Sequence, residues 1–320
     1  MPKPSAIWSV NHWIGRRSIC RTNFSLSIGM NIMTDDFETK QQVRKFYDQV
    51  GWQIVSEGMY QNARYEDLRP VSRDYIHRCH LRVGRFLRPS GRYLLDAGSG
   101  PIQYPEYLTY SEGYTYRVCA DISITALLEA RKRIGARGLY VVADVANLPF
   151  KPGVFEGVVS LHTFHHLPED NQWQAYDEVY RVLTPGCSAV VVNGWTDAPL
   201  MKRFHGLVVV MEKVGGRLQR GLYARRTKPE SSEEQNRPAP QTGTFIRRIS
   251  AARFKQHLQG HIPFEIRVWR SVNTGFLRAM IHPWLGGRLW LRLLYWLEER
   301  FPTYFGEQGQ YPLIIISKTV

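Results

Sequence analysis

Three carboxylates in this chain stand where a polar ligand could be held. Asp96 lies in Leu94-Leu95-Asp96-Ala97-Gly98-Ser99-Gly100, a short apolar run that breaks into a glycine-rich turn. Gly98 and Gly100 let the backbone turn tightly and approach a ligand with no Cβ in the way. Further on, Cys119-Ala120-Asp121-Ile122-Ser123 ends a second apolar run with an acid, placed to accept hydrogen bonds from ribose hydroxyls. A third acid, Asp144, ends a third run and leads through Val145 into Asn147-Leu148-Pro149-Phe150. A glycine turn with Asp121 alone would suit a nicotinamide dinucleotide equally well. Asp144 extends the pattern: acids ending three successive strands line one edge of a sheet, where one crevice could take an amino acid moiety, a ribose and an adenine.

To bring those acids together the chain must form a parallel sheet. From residue 90 onward, short apolar runs alternate with amphipathic segments, the signature of strands joined by crossover helices. The predicted strands are Arg92–Ala97, Arg117–Asp121, Leu139–Ala143, Gly157–Leu161 and Ala189–Asn193, with helices near Tyr104–Tyr110, Ile124–Ile134 and Asn171–Leu183 between them. Phe264–Arg270 and Leu313–Ser317 read as two later strands, giving seven in all. Upstream, residues 36–89 read as a helical region, with Val43, Phe46, Tyr47 and Val50 at helical spacing. Residues 90–200 are the ligand-binding core, and 201–320 complete the sheet. That last part holds a helix near Leu200–Val214, a polar run 228–243 expected to be a mobile loop, and an insertion, 276–305, expected to be helical.

The motifs resemble those of class I S-adenosylmethionine (SAM)-dependent methyltransferases. The resemblance runs through Phe155-Glu156-Gly157-Val158-Val159-Ser160, His165-His166-Leu167 and Arg181-Val182-Leu183-Thr184-Pro185-Gly186, and covers about a third of the chain. With Asn147-Leu148-Pro149-Phe150 it looks closest to the ubiquinone- and menaquinone-biosynthesis type of small-molecule methyltransferase. It implies an α/β, Rossmann-like seven-stranded sheet with helices on both faces, and SAM as cofactor. By the same similarity Asp96, Gly98 and Gly100 would surround the methionine part of SAM, Asp121 would hold the ribose, Asp144 and Val145 would contact the adenine, Leu161 would flank the cofactor, and Ile122 would be a further cofactor-binding residue. Two positions depart from the family pattern: Ile102, preceded by Pro101, replaces its usual third glycine, and Glu156 its usual acid.

A methyl group on a sulfonium is already electrophilic, so such a protein chiefly aligns a nucleophile and excludes water. His162, His165 and His166 sit near the expected methyl position and could accept a proton, but the run is read first as a structural or cofactor-shell feature, and no catalytic residue is assigned. Tyr47, Trp52, Tyr60 and Tyr65 could cover the sulfonium through cation–π attraction, and Trp195 could wall the pocket.

Composition bounds the rest. Cys20, Cys79, Cys119 and Cys187 are scattered without ligand spacing, so no metal site and no disulfide framework is expected, and a cytoplasmic, reducing compartment fits. The net charge of +14 is uneven: residues 1–34 hold 4 basic and no acidic residues, 35–199 hold 18 and 20, and 200–320 hold 20 and 8. The basic ends could meet an anionic membrane surface, an anionic substrate or nucleic acid. Residues 1–35 are set aside as a tail or an extension upstream of the true start. The insertion contains Trp284, Leu289, Trp290, Leu293, Leu294 and Trp296 with Arg288 and Arg292 one turn apart. Such a helix needs an apolar partner: the protein's own interior, a second subunit, or a membrane interface. A small, lipophilic or lipid-linked acceptor therefore leads the expectations, with peripheral membrane contact. RNA ranks below it, since the chain has no RNA-binding module, no Asn/Asp-Pro-Pro-Tyr/Phe motif and no Pro-Cys nucleophile motif. A non-catalytic SAM-binding module is the reading from another class.

Overall fold

The computed structural model describes the backbone of residues 7–9, 26–52, 54–56, 59–60, 66–223 and 244–319, and the side chains of 36–52, 66–213 and 244–319. The strands are β1 (Ile7–Ser9), β2 (Ile54–Ser56), β3 (Met59–Tyr60), β4 (Gly91–Ala97), β5 (Tyr114–Asp121), β6 (Gly138–Val142), β7 (Phe155–Leu161), β8 (Leu183–Val192), β9 (Phe264–Arg270) and β10 (Tyr311–Ser317). The α-helices are α1 (Leu26–Phe46), α2 (Arg73–Leu81), α3 (Glu106–Thr109), α4 (Ile124–Ile134), α5 (Glu169–Val182), α6 (Pro199–Tyr223), α7 (Ala251–Leu258), α8 (Thr274–Met280), α9 (Gly287–Arg300) and α10 (Pro302–Gln308).

The central strands are apolar on both faces because both faces are covered. Leu94 and Val159 point into a layer with Tyr75 of α2, Leu127 of α4, Leu277 of α8 and Leu291 of α9. Leu95 and Val158 point the other way, to Trp173 and Tyr176 of α5 and Phe254 of α7. Such continuous apolar runs mark a parallel sheet sandwiched between helices. The main sheet has the order β1-β6-β5-β4-β7-β8-β10-β9, with β10 antiparallel to both β8 and β9 and the pairs from β6 to β8 parallel. From β4 the chain winds outward first through β5 and β6, then through β7 and β8. The switch point between β4 and β7 is where an open α/β sheet leaves a crevice beyond its strand ends.

The seven expected strands are all present in this sheet, the Rossmann-like arrangement of class I methyltransferases. Residues 7–9, set aside as part of a tail, add an eighth strand parallel to β6, with Ile7 opposite Tyr140. The upstream region is not helical throughout: β2 and β3 pair as a small antiparallel hairpin, for which the β-branched Ile54 and Val55 supply the local preference. α5 passes directly into β8, which takes up Thr184-Pro185-Gly186. The strand accommodates these residues through a register shift opposite Phe155–Gly157 and a positive φ of 76° at Gly186. The helix after residue 198 runs to Tyr223, and the polar run 228–243 lies outside the described residues.

The insertion lies between β9 and β10, as expected. It is anchored by a carboxylate more than by apolar burial. Glu298 of α9, fully buried, accepts from Tyr75 Oη at 2.7 Å, Arg82 Nη1 at 2.8 Å and the Ser271 backbone N at 2.9 Å. Among the described residues no helix is long and apolar enough to cross a membrane.

Candidate active site

A cavity of about 530 Å³ opens at the carboxyl ends of β4, β5, β6 and β7, within the size range of small-molecule and cofactor sites. Its floor is the glycine turn. Gly98 has φ +76°, and a Cβ there would lie 2.2 Å from the Thr163 side chain; Gly100 has φ +54° and lies beneath the Trp52 ring. The position of the third family glycine is Ile102, also in the left-handed region at φ 56° and fully buried. A β-branched residue there is strained by about 1–3 kcal/mol. Its carbonyl accepts from Arg133 Nη1 of α4 at 2.7 Å, which helps to hold the turn.

Asp121 closes this floor from β5. Its Oδ2 accepts from the Gly100 backbone N at 2.9 Å and its Oδ1 from that of Ser123 at 2.8 Å. Burial nevertheless dominates and pushes the carboxyl up to about 6, those two donors opposing it. Asp144 is turned differently: Oδ1 accepts from the Ala146 backbone N at 2.9 Å, while Oδ2 meets Lys40 Nζ of α1 at 2.7 Å. Lys40 was not anticipated; nothing local marks it, since its partner is 104 residues away.

Seven of the eight expected site residues line the cavity: Gly98, Gly100, Asp121, Ile122, Asp144, Val145 and Leu161. Asp96 does not. It is buried against Arg117 of β5, whose Nε donates to its Oδ2 at 3.1 Å, and whose Nη1 reaches the Tyr107 carbonyl. The signal was an arginine inside an otherwise apolar strand, which has to find a carboxylate within the fold. Trp195 is not a cavity wall either: it is buried beside Phe254, and its Nε1 donates to the Gly306 carbonyl at 2.8 Å.

The upstream helix roofs the cavity. Tyr47 stacks on Trp52 with ring centres 5.0 Å apart, and Tyr47 Oη lies 2.8 Å from His166 Nε2. The other ring nitrogen, Nδ1, is 2.8 Å from the Phe245 carbonyl oxygen. A carbonyl only accepts, so Nδ1 carries the proton and Nε2 accepts from the tyrosine. Burial pushes His166 down to about 4. His165 is held near Asn193 and is likewise depressed by burial. His162 has φ 56°, donates its backbone N–H to the Val192 carbonyl at 2.7 Å, and is pushed down to about 3 by burial. These imidazoles are therefore neutral around pH 7. The side chains of Tyr60 and Tyr65 lie outside the described residues.

The half of the cavity beyond His162 was not foreseen. His80 of α2, Glu66, Arg270 at the end of β9, and Tyr104 line it, with Arg248 and Tyr311. Arg270 Nη1 pairs with Glu66 Oε1, and its guanidinium lies 4.8 Å from the centre of the Tyr311 ring. These residues come from well-separated segments, and only the folded sheet assembles them. Among the described residues no group of three His, Cys, Asp or Glu side chains could hold a metal ion.

Residues 95–191 match the family model described as "Methyltransferase domain". The chain is 29% identical over 144 residues to a tRNA (carboxymethyluridine(34)-5-O)-methyltransferase of Arabidopsis thaliana, a match covering 39% of this chain and 33% of the relative. It is 25% identical over 201 residues to the ubiquinone/menaquinone biosynthesis C-methyltransferase UbiE of Roseobacter denitrificans, covering 60% and 79%. The chain thus spans about a third of the plant relative's length. Among solved structures, a phosphoethanolamine N-methyltransferase 1 of Haemonchus contortus, in complex with phosphoethanolamine and S-adenosylhomocysteine, superposes with a TM-score of 0.51 at 8% identity. That likeness covers 93% of this chain and 52% of that one, and bears on the fold alone.

Proposed function

We propose that the chain is a class I SAM-dependent methyltransferase with SAM as methyl donor, a reading supported by the methyltransferase-domain match over residues 95–191, and that it methylates a small lipophilic acceptor met at a membrane surface. The cavity residues suit the cofactor. A glycine turn with no room for a Cβ at Gly98 brings backbone up to the methionine part, Asp121 accepts from the ribose hydroxyls, and Asp144 with Val145 borders the adenine. Bound there, SAM supplies a methyl group made electrophilic by its sulfonium. The chain's own part is to orient and to exclude water: Tyr47 and Trp52 cover the glycine turn, offering π faces to a cation, and Leu161 with His162 separates the cofactor half from the acceptor half. The neutral histidines hold the walls in place.

The observation that carries the acceptor class is the exposed face of α9 and the turn before it. Trp284 in that turn is 74% exposed, and on the helix Leu289 is 69%, Trp290 61% and Trp296 59% exposed. Arg288, Arg292 and Arg300 are exposed along the same helix, while its two acids turn to Arg82 and Arg85. Tryptophan, leucine and arginine with no acid among them match an anionic bilayer interface, where the rings enter the headgroup boundary and the guanidinium groups meet phosphates. The insertion therefore does not serve as a buried cap.

Co-sedimentation with vesicles of phosphatidylglycerol and phosphatidylcholine tests this. Wild-type protein should pellet with them and be released by salt, whereas L289S/W296S should stay in solution with S-adenosylhomocysteine affinity within about threefold of wild type, because distant sites act independently. The basic C-terminal third and the plant relative's tRNA substrate support RNA as a second reading. Transfer of labelled methyl to bulk tRNA, together with no vesicle binding, would replace the lipophilic reading with that one.

A further inference from the structure

The acceptor half of the cavity has a chemistry of its own. His80 is 1% exposed, lines the cavity, and neither of its ring nitrogens has a hydrogen-bond partner. Rings surround it: Tyr104 with its centre at 4.6 Å, and Tyr107 and Trp269 each at 5.2 Å. Leaving a buried polar atom unsatisfied is costly, and native folds keep few such groups without a use. Nearby, Arg270 is 2% exposed and its Nε is also without a partner, although its Nη1 is engaged by Glu66. Arg248 enters from the segment 244–250, its Nε placed 3.1 Å from where a Cβ on Gly194 would stand. No ion pair of Arg248 occurs among the described residues.

The charges on this wall do not cancel. Among the residues that line it, Arg248 and Arg270 carry two positive charges against the single negative charge of Glu66, while Glu106, outside the lining but acting on His80 and Tyr104, faces His77 at 2.5 Å. His80 and His162, each pushed down to about 3 by burial, add none near neutral pH. One positive charge is left over, together with two buried nitrogen-bearing groups that need partners and a frame of aromatic rings.

We propose that this wall is an acceptor-binding subsite for a monoanionic aromatic compound, a ring carrying one carboxylate, with Arg270, Arg248 and His80 recognising the carboxylate and Tyr104 and Tyr311 bordering the ring. The inference rests on the methyltransferase reading above and sharpens its acceptor. The carboxylate takes donors from the two guanidinium groups and from the protonated nitrogen of His80, while the acceptor nitrogen of His80 takes a hydroxyl or water beside it. The aromatic body meets ring edges and faces, which favour offset and edge-on contact. A lipophilic tail on the same ring would leave the carboxylate as the only charged group to be desolvated.

The test uses the full chain saturated with S-adenosylhomocysteine, with benzoate as probe and benzyl alcohol as its neutral counterpart of similar size, both followed by calorimetry. Benzoate should bind at least about tenfold more tightly than benzyl alcohol, since charge-assisted hydrogen bonds supply that margin. Arg248→Gln, an exposed substitution, should remove most of the preference. His80→Leu should weaken benzoate while raising Tm, because it deletes two unsatisfied buried nitrogens at similar volume; a purely structural histidine would show a lowered Tm and an unchanged preference. Equal binding of the two probes by protein that binds S-adenosylhomocysteine overturns the subsite and leaves the methyltransferase reading standing. Failure to bind S-adenosylhomocysteine at all overturns both.

Discussion

Asp121 is held ionised in a place that disfavours it, and the cost is measurable. Its carboxyl is pushed up to about 6 from an ordinary value of 3.8, raised by burial despite two backbone donors, which corresponds to roughly 3 kcal/mol. Between those two values the folded protein retains a proton that the unfolded chain has released. The stability contributed by this group is therefore fullest below pH 3.8 and is lost as pH rises through about 6. A carboxamide in its place would not titrate. With one carbonyl oxygen it could accept from Gly100 or Ser123 but not both, a penalty of about 1–3 kcal/mol that does not vary with pH. In Asp121→Asn the stability difference from wild type should thus drift by about 2 kcal/mol in favour of the variant between pH 4.5 and 8, the direction opposite to ordinary acid denaturation. Urea unfolding of both proteins across that range, subtracted pair by pair, cancels the other titrating groups. Binding should behave inversely. The ionised form accepts ribose hydroxyls, so wild-type affinity for S-adenosylhomocysteine should rise from pH 5 to 7, and the variant should bind at least about tenfold more weakly at pH 7.5. A stability difference that stays flat with pH would refute the claim that burial strains this carboxylate.

Glu298→Ala should cost about 3–5 kcal/mol by leaving Arg82 without its buried partner, whereas Glu299→Ala, at a half-exposed carboxylate, should cost no more than about 1 kcal/mol; chemical denaturation of the pair distinguishes a buried anchor from a surface bridge. Methyl transfer should persist in EDTA, because the described residues offer no metal-binding cluster. Activity lost to the chelator and restored by magnesium or zinc would contradict this.

The sheet was legible because its signals are local. Buried parallel strands read as short apolar runs, and acids at their ends placed Asp121 and Asp144 correctly on one edge. Asp96 stands outside the cavity lining because strand position alone cannot say which way a carboxylate is satisfied; Arg117, one strand over, takes its Oδ2. Lys40, His80, Glu66 and Arg270 escaped for a different reason. Each is an ordinary polar residue in its own segment, and it acquires meaning only when α1, α2 and β9 close around the same cavity. The exposed face of α9 lies between these cases: its composition announced a need for a partner, but only the fold shows that the helix turns Leu291 and Glu298 inward and leaves its tryptophans outside.

His166 joins the two halves of this arrangement, and its two hydrogen bonds make that role testable. Through Nε2 it accepts from Tyr47 in the roof, and through Nδ1 it donates to the carbonyl of Phe245, three residues before Arg248. One neutral imidazole thus touches both the roof and the segment that carries Arg248, a segment also held by the Arg247 N–H on the His165 carbonyl at 2.7 Å and by Gln172 Nε2 on the Arg247 carbonyl at 2.7 Å. Tyr47→Phe removes only the first bond, worth about 1 kcal/mol, and should weaken S-adenosylhomocysteine about fivefold while leaving probe binding to the saturated protein unchanged. His166→Phe removes both, so it should weaken the cofactor product by at least as much and also loosen the segment that carries Arg248. Its effect on a carboxylate probe, measured at saturating S-adenosylhomocysteine, should then run in the same direction as that of Arg248→Gln and be smaller, since Arg247 and Gln172 still hold the segment. If His166→Phe lowers cofactor affinity alone, the imidazole serves the roof only, and Arg248 is positioned by its own neighbours.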